Sequence, residues 1–256
     1  MSPPIADDRD LRRFDRLTFA DFRKMANDDS LSQYQKIGFP DAYRAGAEEA
    51  IFGDIVSKLP PLTERAKRVL DIGPGCSGLP HMLLELSARH GHEVTFVDSA
   101  EMLAQIPDHP HLTKLRGAFP HEVQLPDAAE GTFDAILSYS VLHYVFAEGN
   151  VWAFLDRAIE LLAHGGSLLI GDVPNASKRK RFFSSPVGIE FHKRFMETDE
   201  PPAVSFNRPE PGKIDDAVIA GLLSRARASG YDAYVLPLRS DLPLANRRED
   251  ILVVRP

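Results

Sequence analysis

Short apolar runs alternate with helical patterns along most of this chain. Runs of strand length occur at 69–72, 94–97, 112–116, 133–139, 167–171, 231–236 and 251–254. Apolar stripes at helical spacing predict helices over 79–90, 151–162 and 214–229. Such alternation is typical of βαβ units, and the short link between the last two runs favours an antiparallel pair. The pattern predicts an α/β fold with a doubly wound, seven-stranded mixed sheet whose last strand is antiparallel.

The first part of the chain predicts a helical cap. Ala47, Ile51, Ile55 and Leu59 form an apolar stripe that stops at Pro60-Pro61. Residues 1–62 are too short to hold a core alone, so we expect an N-terminal cap on a domain formed by 63–256.

Residues 174–213 interrupt the regular alternation. This stretch is rich in proline, phenylalanine and charge and has no clean period. Long excursions inside a compact domain are commonly lids or binding loops. We therefore predict a lid or substrate-binding insertion here. By contrast, the stripe that contains Trp152 and Leu155 is predicted to lie in the core.

Composition excludes several classes of protein. The chain has 256 residues, 43% of them apolar, and its 30 Lys and Arg against 37 Asp and Glu leave a net charge of −7. An acidic balance disfavours nucleic acid as a partner, because phosphates are bound by cations. The sequence shows no membrane-spanning run or secretory signal, and we expect a cytoplasmic protein without a membrane partner. A single cysteine, Cys76, argues against disulfides and gives no reason to expect a metal.

The strongest local signal is a glycine-rich turn that follows the first predicted strand. Gly73-x-Gly75-x-x-Gly78 leads from that strand into a helix, where glycines let a ligand approach the backbone. The same spacing occurs in dinucleotide-binding proteins. Asp71 precedes the turn and would face the ligand. Its carboxylate is poorly placed beside a pyrophosphate and well placed beside an ammonium or sulfonium group.

Further motifs follow this turn in a fixed order. They are Val97-Asp98-Ser99-Ala100-Glu101-Met102-Leu103, Leu125-Pro126-Asp127, Gly131-Thr132-Phe133-Asp134-Ala135-Ile136-Leu137-Ser138, Val141-Leu142-His143-Tyr144-Val145 and 161–170. Together with the turn, they make the chain resemble the class I S-adenosylmethionine-dependent methyltransferases over about 68–172. The resemblance implies a Rossmann-like sheet, S-adenosylmethionine as cofactor, and methyl transfer to an oxygen or nitrogen of a small metabolite such as a sugar or a secondary metabolite.

The resemblance also implies a set of cofactor-binding residues. They are Asp71, Gly73, Gly75, Asp98, Ser99, Met102, Ala118, Phe119 and Ser138. In that set Gly73 and Gly75 lie under the methionine part of the cofactor and Asp71 helps to hold its amino group. Asp98 accepts hydrogen bonds from the ribose hydroxyls. The third glycine is one position later than in many members, which leaves the detailed path of the loop open.

Two residues are candidate catalytic groups. His143 follows the fourth strand and is a candidate general base. Its alternative role is packing or a supporting hydrogen bond. Asp172 lies just beyond the fifth strand, at the sheet edge where open α/β proteins bind ligands, and its alternative role is to cap a loop or helix.

A basic cluster opens the predicted insertion. Lys178, Arg179 and Arg181, within four consecutive cations, are candidates for binding an anionic substrate, because arginine makes bidentate contacts with such groups. A solvated surface run is the alternative interpretation. Tyr34, in the cap, is a further candidate for lining the substrate pocket or merely for packing.

Two other functions stay open on the sequence. The glycine turn would also suit an oxidoreductase that binds a nicotinamide dinucleotide. A non-catalytic member of the methyltransferase fold would keep the ligand and lose the reaction. The sequence gives no information on the oligomeric state.

Overall fold

The computed structural model describes residues 14, 17–123, 125 and 131–256. Pro126 and Asp127, part of one motif above, lie outside these ranges. The strands are β1 Arg68–Ile72, β2 Glu93–Asp98, β3 Leu112–Arg116, β4 Phe133–Tyr139, β5 Leu162–Pro174, β6 Asp232–Pro237 and β7 Arg248–Val254. The α-helices are α1 Phe19–Ala26, α2 Gln33–Lys36, α3 Glu48–Lys58, α4 Gly78–His90, α5 Ala100–Leu103, α6 Leu142–Glu148, α7 Val151–Glu160, α8 Ala176–Phe183, α9 Pro186–Met196 and α10 Asp216–Ala228. Short 3₁₀ helices cover Asp41–Tyr43 and Pro60–Thr63.

The strands form one seven-stranded mixed sheet in the order β3-β2-β1-β4-β5-β7-β6. Strands β1 to β5 pair with one another in parallel, and β7 runs antiparallel to both β5 and β6. The predicted fold class is confirmed. The strand order reverses direction between β1 and β4, and at such a point the carboxyl ends of the strands leave a crevice for a ligand.

Helices cover both faces of the sheet. Adjacent residues of β1 enter different cores: Val69 packs with Ile51 and Leu83, whereas Leu70 packs with Phe154 and residues of β5 and α10. Because successive side chains of a strand point to opposite faces, a strand buried on both sides must be apolar at consecutive positions. Among the described residues, no helix is long and apolar enough to cross a membrane.

Strand β5 begins earlier than the sequence predicts. The apolar stripe predicts a helix that continues to 162, but α7 ends at Glu160 and β5 starts at Leu162. The pairing with β4 shifts register between Phe133 and Ala135. At Gly166 a β-carbon would lie 2.8 Å from the Ala163 carbonyl oxygen and 3.0 Å from that of Phe133. The irregular start therefore needs glycine at this position.

The prediction that Trp152 lies in the core is wrong. Its side chain is 39% exposed, while Leu155 on the same helix is fully buried. The indole packs over Gly221 of α10, and the Arg225 guanidinium lies 5.8 Å from its ring centroid. Trp152 thus covers the seam between α7 and α10 from outside.

The N-terminal segment is fastened to the sheet by a buried ion-pair chain. Ile51 and Ile55 of α3 are buried in the core cluster of one sheet face. The Lys58 ammonium at the end of the same helix lies 2.6 Å from Asp54 and 2.7 Å from Asp250 of β7. An α-helix close to the chain start is therefore bound to the last strand of the sheet.

A pair of glycine substitutions tests this packing. Gly171 of β5 lies opposite Tyr139 of β4, and a β-carbon there would overlap the buried Tyr139 ring. We expect Gly171→Ala to lower the free energy of unfolding by about 1–3 kcal/mol, the usual cost of overpacking. Gly53 is exposed within α3, and a β-carbon at that position would meet nothing within 4 Å. Gly53→Ala should raise the free energy of unfolding by about 0.5–1 kcal/mol, since alanine favours helix. Urea denaturation measures the free energy of unfolding of both variants. Equal effects of the two substitutions would contradict the close packing of Gly171 against Tyr139.

Candidate functional site

A cavity of about 450 Å³ opens at the carboxyl ends of the central strands. Its walls come from the turn after β1, the end of β2, the loop after β3, the segment after β4 and the N-terminal cap. The lining includes Phe19, Phe22, Ile37, Phe39, Arg44, Asp71, Gly73, Gly75, Asp98, Met102, Ala118, Phe119, His121, Glu122, Tyr139, Ser140, Val141, Tyr144, Glu148 and Asn150. A volume of this order is typical of small-molecule sites.

Gly73 and Gly75 are required by both conformation and space. Their φ angles are +76° and +67°, in the left-handed region that side chains disfavour. A β-carbon at Gly73 would lie 2.6 Å from Val141 Cγ2, and one at Gly75 would lie 2.7 Å from Ile37 Cγ2. The two glycines thus let the segment after β4 and the cap close onto the turn.

Two carboxylates line the cavity beside this turn. Burial raises the pKa of Asp71 well above its usual value, and the charge of Asp98 raises it further. The Asp71 carboxylate receives no hydrogen bond from the described residues. Burial raises the pKa of Asp98 to about 6, although the N–H groups of Ser99 (2.6 Å) and Gly75 (3.1 Å) donate to it. A cation or hydrogen-bond donors of a ligand would stabilise the two carboxylates at this end of the cavity.

The N-terminus of α4, which usually attracts an anionic ligand, is already occupied by the chain itself. Glu48 of α3 accepts a hydrogen bond from the Gly78 N–H at 2.9 Å. Tyr34 Oη lies 3.4 Å from the other oxygen of the same carboxylate. Tyr34 therefore supports the carboxylate that caps α4 and does not line the cavity.

The opposite wall of the cavity is basic. The Arg44 guanidinium is 5% exposed and lies 4.0 Å from the centroid of the Phe39 ring. Its Nη2 donates to Ser140 Oγ at 2.6 Å and to Asp172 Oδ2 at 2.8 Å. Ser140 also donates to Asp172, and both residues have positive φ, +63° and +57°. Left-handed backbone at non-glycine residues is costly and persists where surrounding contacts enforce it, often at functional sites.

The basic wall is one end of a longer network of buried charges. Arg248 of β7 donates to Asp172 Oδ2 at 2.7 Å, so two arginines share one carboxylate. The Asp172 N–H donates to Asp250 Oδ1 at 2.7 Å, and Asp250 binds Lys58. Near the cavity, two guanidinium groups face one carboxylate, whereas the whole network, with Lys58, Asp54 and Asp250, is formally neutral. The cationic excess is therefore confined to the end beside the cavity.

Most of the predicted cofactor-binding residues lie together around the cavity. Those that line it are Asp71, Gly73, Gly75, Asp98, Met102, Ala118 and Phe119. Ser99 is buried and accepts a hydrogen bond from the Met102 N–H at the start of α5. Ser138 is fully buried and donates to the Ile72 carbonyl oxygen at 3.1 Å. The two serines thus do not line the cavity, and their hydrogen bonds stabilise the ends of β2 and β4.

The two candidate catalytic residues lie behind the basic wall. Neither His143 nor Asp172 is among the residues that line the cavity. Burial, together with Arg248 and Arg44, lowers the pKa of His143 to about 3, although Asp172 opposes the shift. The buried Nδ1 of His143 has no hydrogen-bond partner among the described residues. Asp172 reaches the cavity through its partners Arg44 and Ser140.

The basic cluster of the insertion is not gathered at the cavity. Lys178 Nζ donates to the Arg248 carbonyl oxygen at 2.6 Å. Arg179 binds Glu210, and Arg181 binds Asp216. None of the described residues in 174–213 lines the cavity. The insertion itself contains the helices α8 and α9, which its irregular sequence pattern did not predict.

Sequence reasoning missed the basic wall and the aromatic cover of the cavity. Tyr144 stood in a quoted motif without a role of its own. Arg44 and Ser140 stood in no motif, and Arg44 lies 128 residues from its partner Asp172. One signal was present for Ser140, since it follows a confidently predicted buried strand at the ligand-binding edge of the sheet. A lone arginine in a predicted cap carries no comparable signal.

Comparison with known proteins gives a family-level match. A family model described as a methyltransferase domain matches residues 43–197, more than half of the chain. The match spans the glycine turn, Arg44, Asp172 and the helices α8 and α9. A search of curated proteins finds no match to this sequence.

Solved structures share the fold at low sequence identity. A putative methyltransferase from Haloferax volcanii, solved with the Trm112 activator, is 15% identical with a TM-score of 0.55, over 92% of this chain and 97% of that one. A SAM-dependent methyltransferase from Aquifex aeolicus is 12% identical with a TM-score of 0.52, over 94% and 100%. Phosphoethanolamine N-methyltransferase 2 from Haemonchus contortus, solved with phosphomonomethylethanolamine and S-adenosylhomocysteine, is 16% identical with a TM-score of 0.57, over 94% and 60%. At these identities the likeness concerns the fold.

The raised pKa of Asp98 predicts a pH dependence of stability. The group titrates near 3.8 when unfolded and near 6 when folded, so between these values the folded chain binds more protons. Stability should therefore fall as pH rises through this interval. Between these pH values the free energy of unfolding should fall less in Asp98→Asn than in the wild type, by on the order of 2 kcal/mol. Urea unfolding of the ligand-free protein between pH 4 and pH 7 measures this. Asp232→Asn, at an exposed position, should show the same pH dependence of unfolding as the wild type. If Asp98→Asn also showed that pH dependence, the raised pKa of Asp98 would be contradicted.

Proposed function

The chain belongs to the methyltransferase domain family, a group of class I S-adenosylmethionine-dependent enzymes, and we propose that it methylates an oxygen or nitrogen atom of a small anionic metabolite. The observation that carries the proposed substrate class is the buried Arg44 guanidinium in the cavity wall. Sugars and secondary metabolites that bear a carboxylate or phosphate have the required chemistry.

The cavity fits S-adenosylmethionine, the cofactor of this family. The buried Asp71 carboxylate lacks a hydrogen-bond donor in the described chain, and the ammonium of the cofactor would supply one. Asp98 would accept hydrogen bonds from the ribose hydroxyls. Gly73 and Gly75 give the ligand access to backbone, and the loop at Ala118 and Phe119 would meet the adenine.

The basic wall gives the acceptor side of the cavity its proposed specificity. Arg44 uses Nη2 for Ser140 and Asp172, so further N–H groups of its planar guanidinium remain for an anion. Phe39 covers the guanidinium and keeps water from it, which strengthens the attraction to a negative group. The proposed anion receptor is thus Arg44 rather than the 178–181 cluster.

The cap favours a small acceptor over a polymer. Phe19 and Phe22 of α1 line the cavity, and Arg23 of α1 forms a bidentate ion pair with Glu101 at 2.8–3.1 Å. The Phe19 N–H donates to Glu148 at 3.1 Å. Helix α1 therefore spans the mouth of the cavity between α5 and α6. A protein chain or nucleic acid would have to displace it.

The reaction needs little proton transfer from the protein. S-adenosylmethionine supplies a methyl group already activated by its positive sulfur. The chain's own residues position the acceptor and exclude water, and positioning alone can contribute about 7–11 kcal/mol. His143 is neutral at physiological pH and, with a pKa of about 3, is a weak base. Asp172 is held by two arginines. The arrangement suits an acceptor that is already nucleophilic, such as a neutral amine or an acidic hydroxyl.

We propose the domain division expected from the sequence, with 1–62 as a cap and 63–256 as the cofactor-binding domain. The contacts of α1 and α3 support it. The prediction that 174–213 is a lid stays a prediction. Lys178 touches the wall behind Arg248, so movement of this insertion would reach the cavity through the basic wall.

Methyl transfer from labelled cofactor into a metabolite extract tests the function. We expect label in a small acidic compound, and none when Asp98→Asn replaces the wild type. Label only in protein or nucleic acid would contradict the proposed substrate class. A chain that binds the cofactor but labels nothing in varied extracts would contradict the proposed enzyme.

Cofactor affinity tests the role of Asp98. Calorimetry with S-adenosylhomocysteine should show binding weakened by about 1.5–3 kcal/mol in Asp98→Ala, because charge-assisted hydrogen bonds to the ribose are lost. Asp232→Asn, at an exposed position of β6, serves as the control and should bind like the wild type. Unchanged affinity in Asp98→Ala with an intact fold would remove Asp98 from the site.

Arg44 variants separate acceptor binding from cofactor binding. Arg44→Lys keeps the charge and loses the planar contacts, so KM for the labelled acceptor should rise about tenfold. The affinity for S-adenosylhomocysteine should stay within about twofold of the wild type. A parallel loss of cofactor affinity would instead assign Arg44 to the carboxylate of the cofactor. Thermal unfolding identifies any loss of fold.

A further inference from the structure

A second cavity, of about 630 Å³, lies in the insertion and shares no residue with the first. Helix α8, helix α9 and the irregular segment after them form its walls. Its charged lining residues are Arg179, Lys180, Arg208, Glu210 and Lys213. Three prolines fix the backbone of the irregular wall. The cavity therefore has a formed shape on at least one side.

The charge of this cavity is opposite to that of the protein. Four cationic side chains and a single carboxylate line it, which leaves a formal charge of +3 in a chain of net charge −7. Glu210 is the carboxylate, and both of its oxygens lie 2.8 Å from Arg179 Nη2. Lys180 and Lys213 lie 3.3 Å and 3.4 Å from it. Despite burial, these cations lower the pKa of Glu210, so it stays ionised and is shared among three partners.

Arg208 is the lining cation that has no side-chain partner among the described residues. The Arg208 side chain makes no hydrogen bond or ion pair with the residues that the structure describes, although its carbonyl oxygen accepts from Lys180 Nζ at 2.7 Å. His192 packs edge-on against Phe183, at 6.1 Å between ring centroids. Arginine and lysine N–H groups around a concave site match the several acceptor oxygens of a phosphate group.

A half-buried arginine next to Phe183 extends the positive region. Arg247 lies 5.5 Å from the Phe183 ring centroid and 5.8 Å from that of Phe191. Among the described residues, no carboxylate lies within ion-pair distance of its guanidinium. Burial, Arg248 and Arg179 lower the pKa of Arg247, which Tyr43 opposes. The uncompensated charge favours an anion in front of Phe183.

We propose that the cavity between α8, α9 and residues 202–213 is a second ligand site, which binds a phosphorylated small molecule other than the methyl acceptor. The separation from the acceptor follows from the geometry, because no residue of this cavity lines the first one. The proposal is independent of methyl transfer.

Titration with inorganic pyrophosphate tests the site in the ligand-free chain of 256 residues. Calorimetry at 50 mM and 150 mM salt should show saturable binding of one pyrophosphate per chain, weaker at the higher salt. Arg208→Gln combined with Lys213→Gln should weaken binding at least tenfold. Lys193→Gln combined with Arg194→Gln, on α9 but outside the cavity, removes the same two charges and should change the affinity less than twofold. Absence of saturable binding, or an equal loss in this control variant, would overturn the proposal.

Two further titrations test the internal anion and the separation of the two cavities. Glu210→Gln removes the competing carboxylate, so a variant that keeps the wild-type melting temperature should bind pyrophosphate several-fold more tightly. Unchanged or weaker binding in such a folded variant would overturn the proposal. Saturating S-adenosylhomocysteine should leave pyrophosphate affinity unchanged. Displacement by S-adenosylhomocysteine, or competition between pyrophosphate and the methyl acceptor, would place the anion in the first cavity and overturn the second site.

Discussion

The buried carboxylate of Asp172 is the constraint on which the site depends. An ion at that depth costs several kcal/mol unless it is paired, and here Arg44 from the N-terminal segment and Arg248 from the last strand supply the pairing. Loss of Asp172 would leave two guanidinium groups without this carboxylate, and loss of Arg44 would leave Asp172 with Arg248 alone. The cap, the left-handed backbone of Ser140 and Asp172, and the basic wall of the cavity are therefore parts of a single arrangement. A displaced cap would remove the Arg44 side of that pairing.

The cavity places unlike charges at its two ends. Asp71 and Asp98 sit by the glycine turn with pKa values raised by burial, and Arg44 sits across from them under Phe39. Both carboxylates are held in a less stable state in the absence of a ligand, because the chain gives them too few donors. A ligand that brings an ammonium and hydroxyl groups relieves this cost. Stability of the free protein is thus lowered where binding is gained, a common feature of functional sites.

What the sequence could reveal follows from how local each signal is. The glycine turn, Asp71 and Asp98 were predictable because strand, turn and helix succeed one another within a few residues. Arg44 was not, since its partners lie 96 and 128 residues away and only the folded chain brings them together. The sequence shows the cations at 178–181, but it does not show which way their side chains point. Their partners Glu210 and Asp216 come over 30 residues later in the chain. Trp152 followed the helical period and still lies outside, because α10 covers only part of that face.

The negative net charge of the chain is consistent with a basic wall in the first cavity and a cationic second cavity. At physiological salt, charges act over about 8 Å, so the potential inside a cavity is set by the groups that line it and not by the total of the chain. A polyanion must approach the whole acidic surface and is repelled, whereas a small anion meets only the local cations once it enters. Arg44 in one cavity and Arg208 in the other can therefore attract small anions in a protein whose overall charge opposes nucleic acid. Burial strengthens this distinction, because the lower dielectric around Arg44 increases its attraction to an anion within the cavity.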